Sequence, residues 1–456
     1  MIYKSEQRDI RMTLTGDTML SRRLRSFTEP DYQALVALMR DTDVAFTNLE
    51  SCVREPDEGA ANATLGTPMT TPPALLSELQ WLGVNLVSCA NNHAADYGVD
   101  GIRAMLAHLK HAQLPFAGIG RNLAEARAPV YLDTAAGRVA LVATTTFFKP
   151  GDRAGGQNAD AAGRPGLNPL GFARSYTVDG ETFDVLARAA QKLGLAQEHV
   201  RHANQFFSAH EAPKSTNDVL NFMGSNFRRG NDFSISTRGN KADIDDNLRW
   251  VREARRQADW VIVSLHSHEF GAAGRMSATT DVGLEEPAEF AVAFARGAID
   301  AGADIVAGHG PHLTLGVEIY KGRPILYSLG NFILENDTVA SIPAESYARF
   351  GLPPEATPAD FFEARTHNDT RGFPASPEFW EAVAASCEFR GGRLAALRLH
   401  PLDLGFGTKR SERGRPLIAR GTKAKRILER VQHLSRHHNT SIVIEGETAV
   451  VKLAEQ

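Results

Sequence analysis

Short apolar runs recur through the first part of the chain, each stopping abruptly at polar residues and each followed by a helical pattern. Arg11-Met12-Thr13-Leu14-Thr15 gives way to Gly16-Asp17, Val44-Ala45-Phe46-Thr47 to Asn48-Leu49-Glu50, and Val84-Asn85-Leu86-Val87-Ser88 to a segment holding Asn91-Asn92-His93. Runs of this length bounded by polar breaks read as buried strands, and strands alternating with helices argue an α/β fold. A helix is expected at about residues 100–113 and a further strand at 139–145.

The rhythm breaks at about residue 149. From there to about 241 the chain is rich in Gly, Asn, Asp and Arg, and reads as an insertion carrying one or two helices, for example residues 181–193. Long inserted segments on such scaffolds commonly serve as lids or substrate-binding elements.

Layering then resumes with a helix at 247–258, a strand at 260–265 running into His266-Ser267-His268-Glu269, and a helix at 287–300. A strand at 304–307 follows, running into Gly308-His309-Gly310-Pro311-His312. Val317-Glu318-Ile319-Tyr320 and Pro324-Ile325-Leu326-Tyr327-Ser328 predict a hairpin around Lys321-Gly322-Arg323. Residues 1–335 are thus expected to form one layered domain carrying the insertion at about 149–241. Residues 336–456 read as an extension that completes or packs on its sheets, with a cationic helix at 422–436 presenting a solvated face or a subunit contact.

Composition narrows the class. The chain has 456 residues, 43% hydrophobic and 23% charged, enough apolar material for a substantial core without staples. A formal net charge of −4 gives no electrostatic footprint for nucleic acid. Three cysteines, Cys52, Cys89 and Cys387, lack the spacing of a disulfide framework or zinc ribbon and are expected to be reduced. No run approaches the roughly 18 apolar residues that span a bilayer, and the polar N-terminus lacks the apolar core of a signal peptide. A cytoplasmic location is the expectation.

The polar clusters at the strand ends carry the chemistry. Asp17, Glu50, Asn91-Asn92-His93 and the His309/His312 pair supply carboxylate, amide and imidazole where an open α/β sheet binds its ligands. That donor mixture suits Mn²⁺, Fe²⁺ or Zn²⁺, since borderline ions accept imidazole while carboxylates balance charge and can bridge ions. His309 and His312 sit on a turn constrained by Gly and Pro, able to aim both rings at one point. Of His266 and His268, only His266, nearest the apolar run, is expected to face the site. Taken singly, each element also has an ordinary structural use: Asp17 as a turn cap, Glu50 as a salt-bridge partner, His93 as a satisfied histidine. Their common position at strand ends favours a site.

The ordered series Gly16-Asp17-Thr18-Met19-Leu20, Asn48-Leu49-Glu50-Ser51, Ala90-Asn91-Asn92-His93-Ala94-Ala95-Asp96-Tyr97-Gly98, Ser264-Leu265-His266, Gly308-His309-Gly310-Pro311-His312 and Tyr327-Ser328-Leu329-Gly330-Asn331-Phe332 resembles the capsule-synthesis (CapA) family. That family is associated with poly-γ-glutamate and belongs to the calcineurin-like metallophosphoesterase superfamily. The resemblance covers roughly residues 11–335 and implies a four-layer α/β/β/α sandwich with metal at the strand ends.

By this resemblance Asp17 matches the first metal-binding aspartate, Glu50 the bridging carboxylate, and Asn92 the metal-binding asparagine, while His266, His309 and His312 match the imidazole ligands. His93 matches the candidate general acid, and Asp96 is placed to orient it. Where the superfamily has Asp-x-His, this chain has Asp17-Thr18-Met19, so one metal position lacks a ligand and one or two ions are implied.

The resulting expectation is a metal-dependent hydrolase cleaving an amide bond in a small or oligomeric carboxylate-bearing compound by metal-activated water. Arg22, Arg23 and Arg164 are candidates for holding the carboxylates. A phosphoesterase using the same chemistry and a non-catalytic capsule-biosynthesis protein are the alternatives. A homo-oligomer fits either.

Overall fold

The computed structural model describes residues 5–62, 67–206, 215–271 and 286–453. They form a mixed α/β architecture with two large sheets. In the 10-stranded sheet the axis is Ile10–Met19, parallel to Val44–Leu49 and antiparallel to Glu381–Arg390. Val44–Leu49 pairs in turn with Leu86–Ser88, parallel, and the end of Ile10–Met19 takes Asn331–Leu334 as a further parallel neighbour. Asp17 is in register with both Asn48 and Asn331, and Asn48 with Ser88, so the carboxyl ends of these strands coincide.

The 6-stranded sheet is built on Gly137–Thr145, Trp260–His266 and Ile305–His309, all parallel. His266 is in register with Thr145 and His309, which brings a second set of strand ends level.

The first strand runs to Met19, beyond the expected Thr15, because it is buried on both faces and its sequence need not alternate. The two sheets share one core: Leu14, Phe46 and Leu86 of the first pack with Leu141, Ile262 and Ala307 of the second, and Trp260 lies 4.9 Å from the Phe389 ring. A second core joins the first sheet to the helices Pro30–Arg40, Leu76–Leu82 and Gly98–His111 through Leu35, Leu79 and Met105. The hairpin Val317–Tyr320/Arg323–Leu326 turns at Lys321 and Gly322, both at positive φ (50° and 74°), as a two-residue turn between right-twisting strands requires.

The chain divides into two compact units. One comprises Met1–Leu170, Ala242–His268 and Phe294–Gln456; the other comprises Gly171–Lys241 and Glu269–Ala293. The second unit holds a four-stranded sheet of Phe172–Val178, Val219–Phe222, Ser225–Arg229 and Ser234–Gly239, with its own small core of Val178, Phe183, Ala190 and Leu220. The expected helix is present as Gly180–Lys192, capped by Asp179 accepting the Thr182 N–H. Its sheet escaped the sequence reading because short strands with mostly exposed or half-exposed side chains leave no apolar run.

One expectation is corrected. The cationic helix, Gly421–Ser435, is not simply a solvated face: Ala424, Ile427, Leu428 and Val431 are buried in the core shared by the two sheets. Its charges line only the opposite stripe, as an amphipathic helix demands. Leu428→Ala is therefore expected to cost about 2–5 kcal/mol, whereas Lys425→Ala, on the exposed stripe, should stay within about 0.5 kcal/mol. Urea unfolding of the two variants checks this.

Candidate metal centre

Backbone geometry places the first carboxylate. A Cβ on Gly16 would collide with the Gly330 carbonyl, so glycine is what allows the strand close enough for the Asp17 N–H to donate to that oxygen at 3.0 Å. Register shifts flank Asp17 against both parallel neighbours, the kind of irregularity that re-aims a side chain. The Asp17 Oδ1 accepts from Asn48 Nδ2 at 2.8 Å and Oδ2 accepts from the Gly310 N–H at 2.9 Å. Gly310 has φ +117°, and a Cβ there would meet the Ser267 backbone at 2.8 Å.

Two sets of potential ligand atoms result. One atom each from Asp17, His266 and His309, all buried, lie within 4.8 Å of one another, and so do one each from Glu50, His268 and His312. Within the first set, Nδ1 of His266 and of His309 are 3.6 and 3.4 Å from Asp17 Oδ1. The sets adjoin: His266 Nε2 is 3.6 Å from Glu50 Oε1, and His312 Nδ1 is 3.6 Å from Asp17 Oδ2 and 3.8 Å from Glu50 Oε2. Asn92 Oδ1 lies 2.7 Å from His266 Nε2 and 3.2 Å from His268 Nε2, so the expected amide is present as well.

Supporting polar groups orient these rings. The Ser264 hydroxyl lies 2.6 Å from His309 Nε2, leaving Nδ1 toward Asp17. Asn331 Oδ1 lies 2.9 Å from His312 Nδ1, while its Nδ2 donates to the Phe379 carbonyl. Asn91 donates to Asn48 Oδ1 at 3.2 Å and to the Leu49 carbonyl at 2.8 Å, tying the third strand end to the first two. Such partners fix ring orientation and ligand basicity.

The electrostatics suit a cation. Burial lowers the pKa of His266 to about 4 and pushes those of His268 and His312 below the usual range, so these rings are neutral, the form that coordinates. Burial would raise the Asp17 carboxyl, but His266 and His309 hold it well below the ordinary value. Glu50 goes the other way, driven well above by burial and by the Asp17 charge. Both of its carboxylate oxygens are buried without a hydrogen-bond partner. A divalent cation is the group that would satisfy them, so the residues present fit a metal.

His93 stands beside this cluster, its Nδ1 2.6 Å from Asp96 Oδ2, an oxygen that also accepts the Met69 N–H at 2.7 Å. Its Nε2 has no hydrogen-bond partner among the described residues.

The expected arginines are not brought to the cluster by any described contact. Arg22 is occupied by Glu335 and by the carbonyls of Arg410 and Arg413, and Arg164 donates to the Arg153 carbonyl. Arg23 is exposed. These bonds tie Arg22 to the protein itself.

His268 was missed. The strand ends at His266, and residues two apart in an extended chain share a face, so the His-Ser-His spacing admitted both rings. Through it, an imidazole reaches the set containing Glu50 and His312, offsetting the one lacking at Thr18-Met19. Asn48, Ser264 and Asn331 were also missed, since nothing in sequence marks an amide or hydroxyl as the partner of a distant ring.

A family model described as "Bacterial capsule synthesis protein PGA_cap" matches residues 11–336. An uncharacterized protein of Sinorhizobium fredii, y4sH, is 34% identical over 97% of this chain and 93% of its own length. The capsule biosynthesis protein CapA of Bacillus anthracis is 23% identical over 72% of this chain and 61% of its own, and the PGA biosynthesis protein CapA of Bacillus subtilis is 24% identical over 71% and 63%.

Elemental analysis of the purified protein is expected to find bound Mn, Fe or Zn, with most of it lost in Asp17→Ala and His309→Ala and all of it kept in Arg23→Ala. His268→Ala should bind less metal than the parent; an unchanged count would remove that residue from the ligand set. Stripping the metal with a chelator should lower the thermal midpoint, since a ligand bound only by the folded state at about 100 times its Kd contributes about 2.7 kcal/mol.

Proposed function

The chain belongs to the bacterial capsule synthesis protein family PGA_cap, and from that membership and its cluster geometry we propose a metal-dependent hydrolase cleaving an amide bond in a γ-glutamyl-like, carboxylate-bearing compound. On this reading the two facing sheets are the inner layers of a four-layer α/β/β/α sandwich. The observation that carries it is the buried Glu50 carboxylate, unpartnered at both oxygens, set among neutral imidazoles beside a histidine that is itself held by an acid.

Asp17, Glu50, Asn92, His266, His268, His309 and His312 are the residues proposed to hold one or two ions. When bound, a divalent metal supplies a water acidic enough to ionise near neutral pH and polarises the scissile group. The protein's own groups do the rest. Asp96 accepts at Nδ1 of His93, which fixes a proton there and leaves Nε2 free to take a proton from the attacking water and pass it to the departing amine. The Met69 N–H, donating to the same Asp96 oxygen, keeps that carboxylate in place. Neutral rings at His266, His268 and His312 each have one lone pair to offer a cation, and the burial of Asp17 and Glu50 keeps bulk water from competing with substrate.

The test is hydrolysis by metal-replete protein of γ-linked oligoglutamate and γ-glutamyl-p-nitroanilide, with p-nitrophenyl phosphate in parallel. Amide cleavage is expected, with His93→Ala lowering kcat by about 10²- to 10⁴-fold while metal content is retained. Asp96→Asn should also lower kcat, because an amide no longer enforces the tautomer. Efficient phosphate-ester cleavage without amide cleavage would replace this reading with a phosphoesterase; full metal occupancy with neither activity would leave a non-catalytic capsule-biosynthesis role.

A further inference from the structure

The two ligand sets differ in how open they are. Asp17, His266 and His309 are all buried, and Phe46 stands against His309 from within the core, ring centroids 6.5 Å apart. In the other set only Glu50 is buried; His268 and His312 each keep an edge in solvent, as does His93 beside them. Among the described residues, a molecule therefore reaches the cluster along the edge where His268 and His312 stand. Their two rings meet edge to face there, with centroids 5.6 Å apart at 89°.

Each of these imidazoles has a phenyl ring against it. Phe147 lies 4.7 Å from His268 at 33°, and Phe373 lies 4.7 Å from His312 at 32°. Phe373 is half-buried and packs on Phe379 and the first core. Phe147 is not covered: at 49% exposure it is the most exposed large apolar side chain among the described residues of its unit. A lone exposed ring is ordinary on a protein surface, but this one is fixed over a metal-competent imidazole. The Thr146 N–H donates to the His266 carbonyl at 2.9 Å, and the Phe147 N–H donates to the Thr145 hydroxyl at 3.2 Å. The turn that carries the ring is thus tied to the strand end that carries the ligands. Phe148, the next residue, packs against the core.

We propose that Phe147 is a specificity-determining residue of this site, an apolar platform that takes the hydrocarbon group attached to the reacting carbonyl or phosphorus of the substrate. The inference rests on the cluster being a substrate site, as proposed above, and adds to that reading the chemistry that flanks the scissile bond. A phenyl face held open beside a reacting centre stacks on a methylene chain or on a second ring, and covering it removes apolar surface from water. Phe373, against His312, bounds the same edge with a second apolar ring. The preferred substrate therefore has carbon next to the bond that is cleaved and its charged groups farther off, as a γ-glutamyl group does.

The test is calorimetric titration of methylphosphonate and phenylphosphonate, which share one oxyanion and differ only in the group on phosphorus, into the metal-replete parent, Phe147→Ala and Phe147→Leu. Metal content and thermal midpoint are measured on each protein. The parent is expected to bind phenylphosphonate about 3- to 10-fold more tightly, the gain from covering the exposed part of one phenyl ring. Phe147→Ala should lose most of that preference at equal metal content and thermal midpoint, and Phe147→Leu should keep part of it. Where γ-glutamyl-p-nitroanilide is cleaved, KM in Phe147→Ala should rise more than kcat falls. A preference that survives in Phe147→Ala, its absence from the parent, or no binding of either probe overturns the proposal. So does a loss of metal in Phe147→Ala, which would make the ring a cover for His268 and nothing more. A preference that depends on Phe147 in a protein that cleaves no amide would fail the amide-hydrolase reading and leave the platform standing.

Discussion

Glu50 is completely buried, accepts no hydrogen bond at either oxygen, and lies within 4 Å of His266 and His312. Taking an ionised carboxylate out of water with nothing to receive it costs several kcal/mol, and the Asp17 charge nearby adds to the cost. An arrangement of this kind persists where the surrounding fold over-determines it, and a proton or a cation is what relieves it. Around it stand the rings of His266, His268 and His312, kept neutral by burial, a hydroxyl on the outward nitrogen of His309, and strand ends from both sheets brought level.

The scaffold provides the precision. Parallel strands carry their carboxyl ends to one edge, and the two sheets, sharing a core, bring two such edges together. The fine adjustment is made by backbone. Gly16 permits contact with Gly330, and Gly310 turns at positive φ so that its N–H meets Asp17. In both places a side chain would displace the strand end, and with it a ligand, by more than coordination tolerates.

Charge is distributed unevenly around the centre. Most buried arginines are neutralised locally and serve the fold, as Arg413 does between Asp337 and Asp369. Among the described residues the acids of the cluster have only histidines as ion-pair partners.

Much of this was legible in the sequence. Apolar runs ending at polar clusters located the strands and the edge on which Asp17, Glu50, Asn92, His93, His266, His309 and His312 would lie, because a strand's burial is written in its own residues and its end in the next few. Lys321-Gly322 announced its hairpin in the same local way. The sequence could not say that Arg22 is occupied by Glu335, far away in the chain. Nor could it show that the cationic helix buries its apolar stripe or that His268 joins Glu50 and His312. Local pattern determined the elements and the chemistry at their ends. Tertiary structure alone decided which of those groups meet, which charges are neutralised and which remain open, since pairing and burial depend on residues hundreds of positions apart.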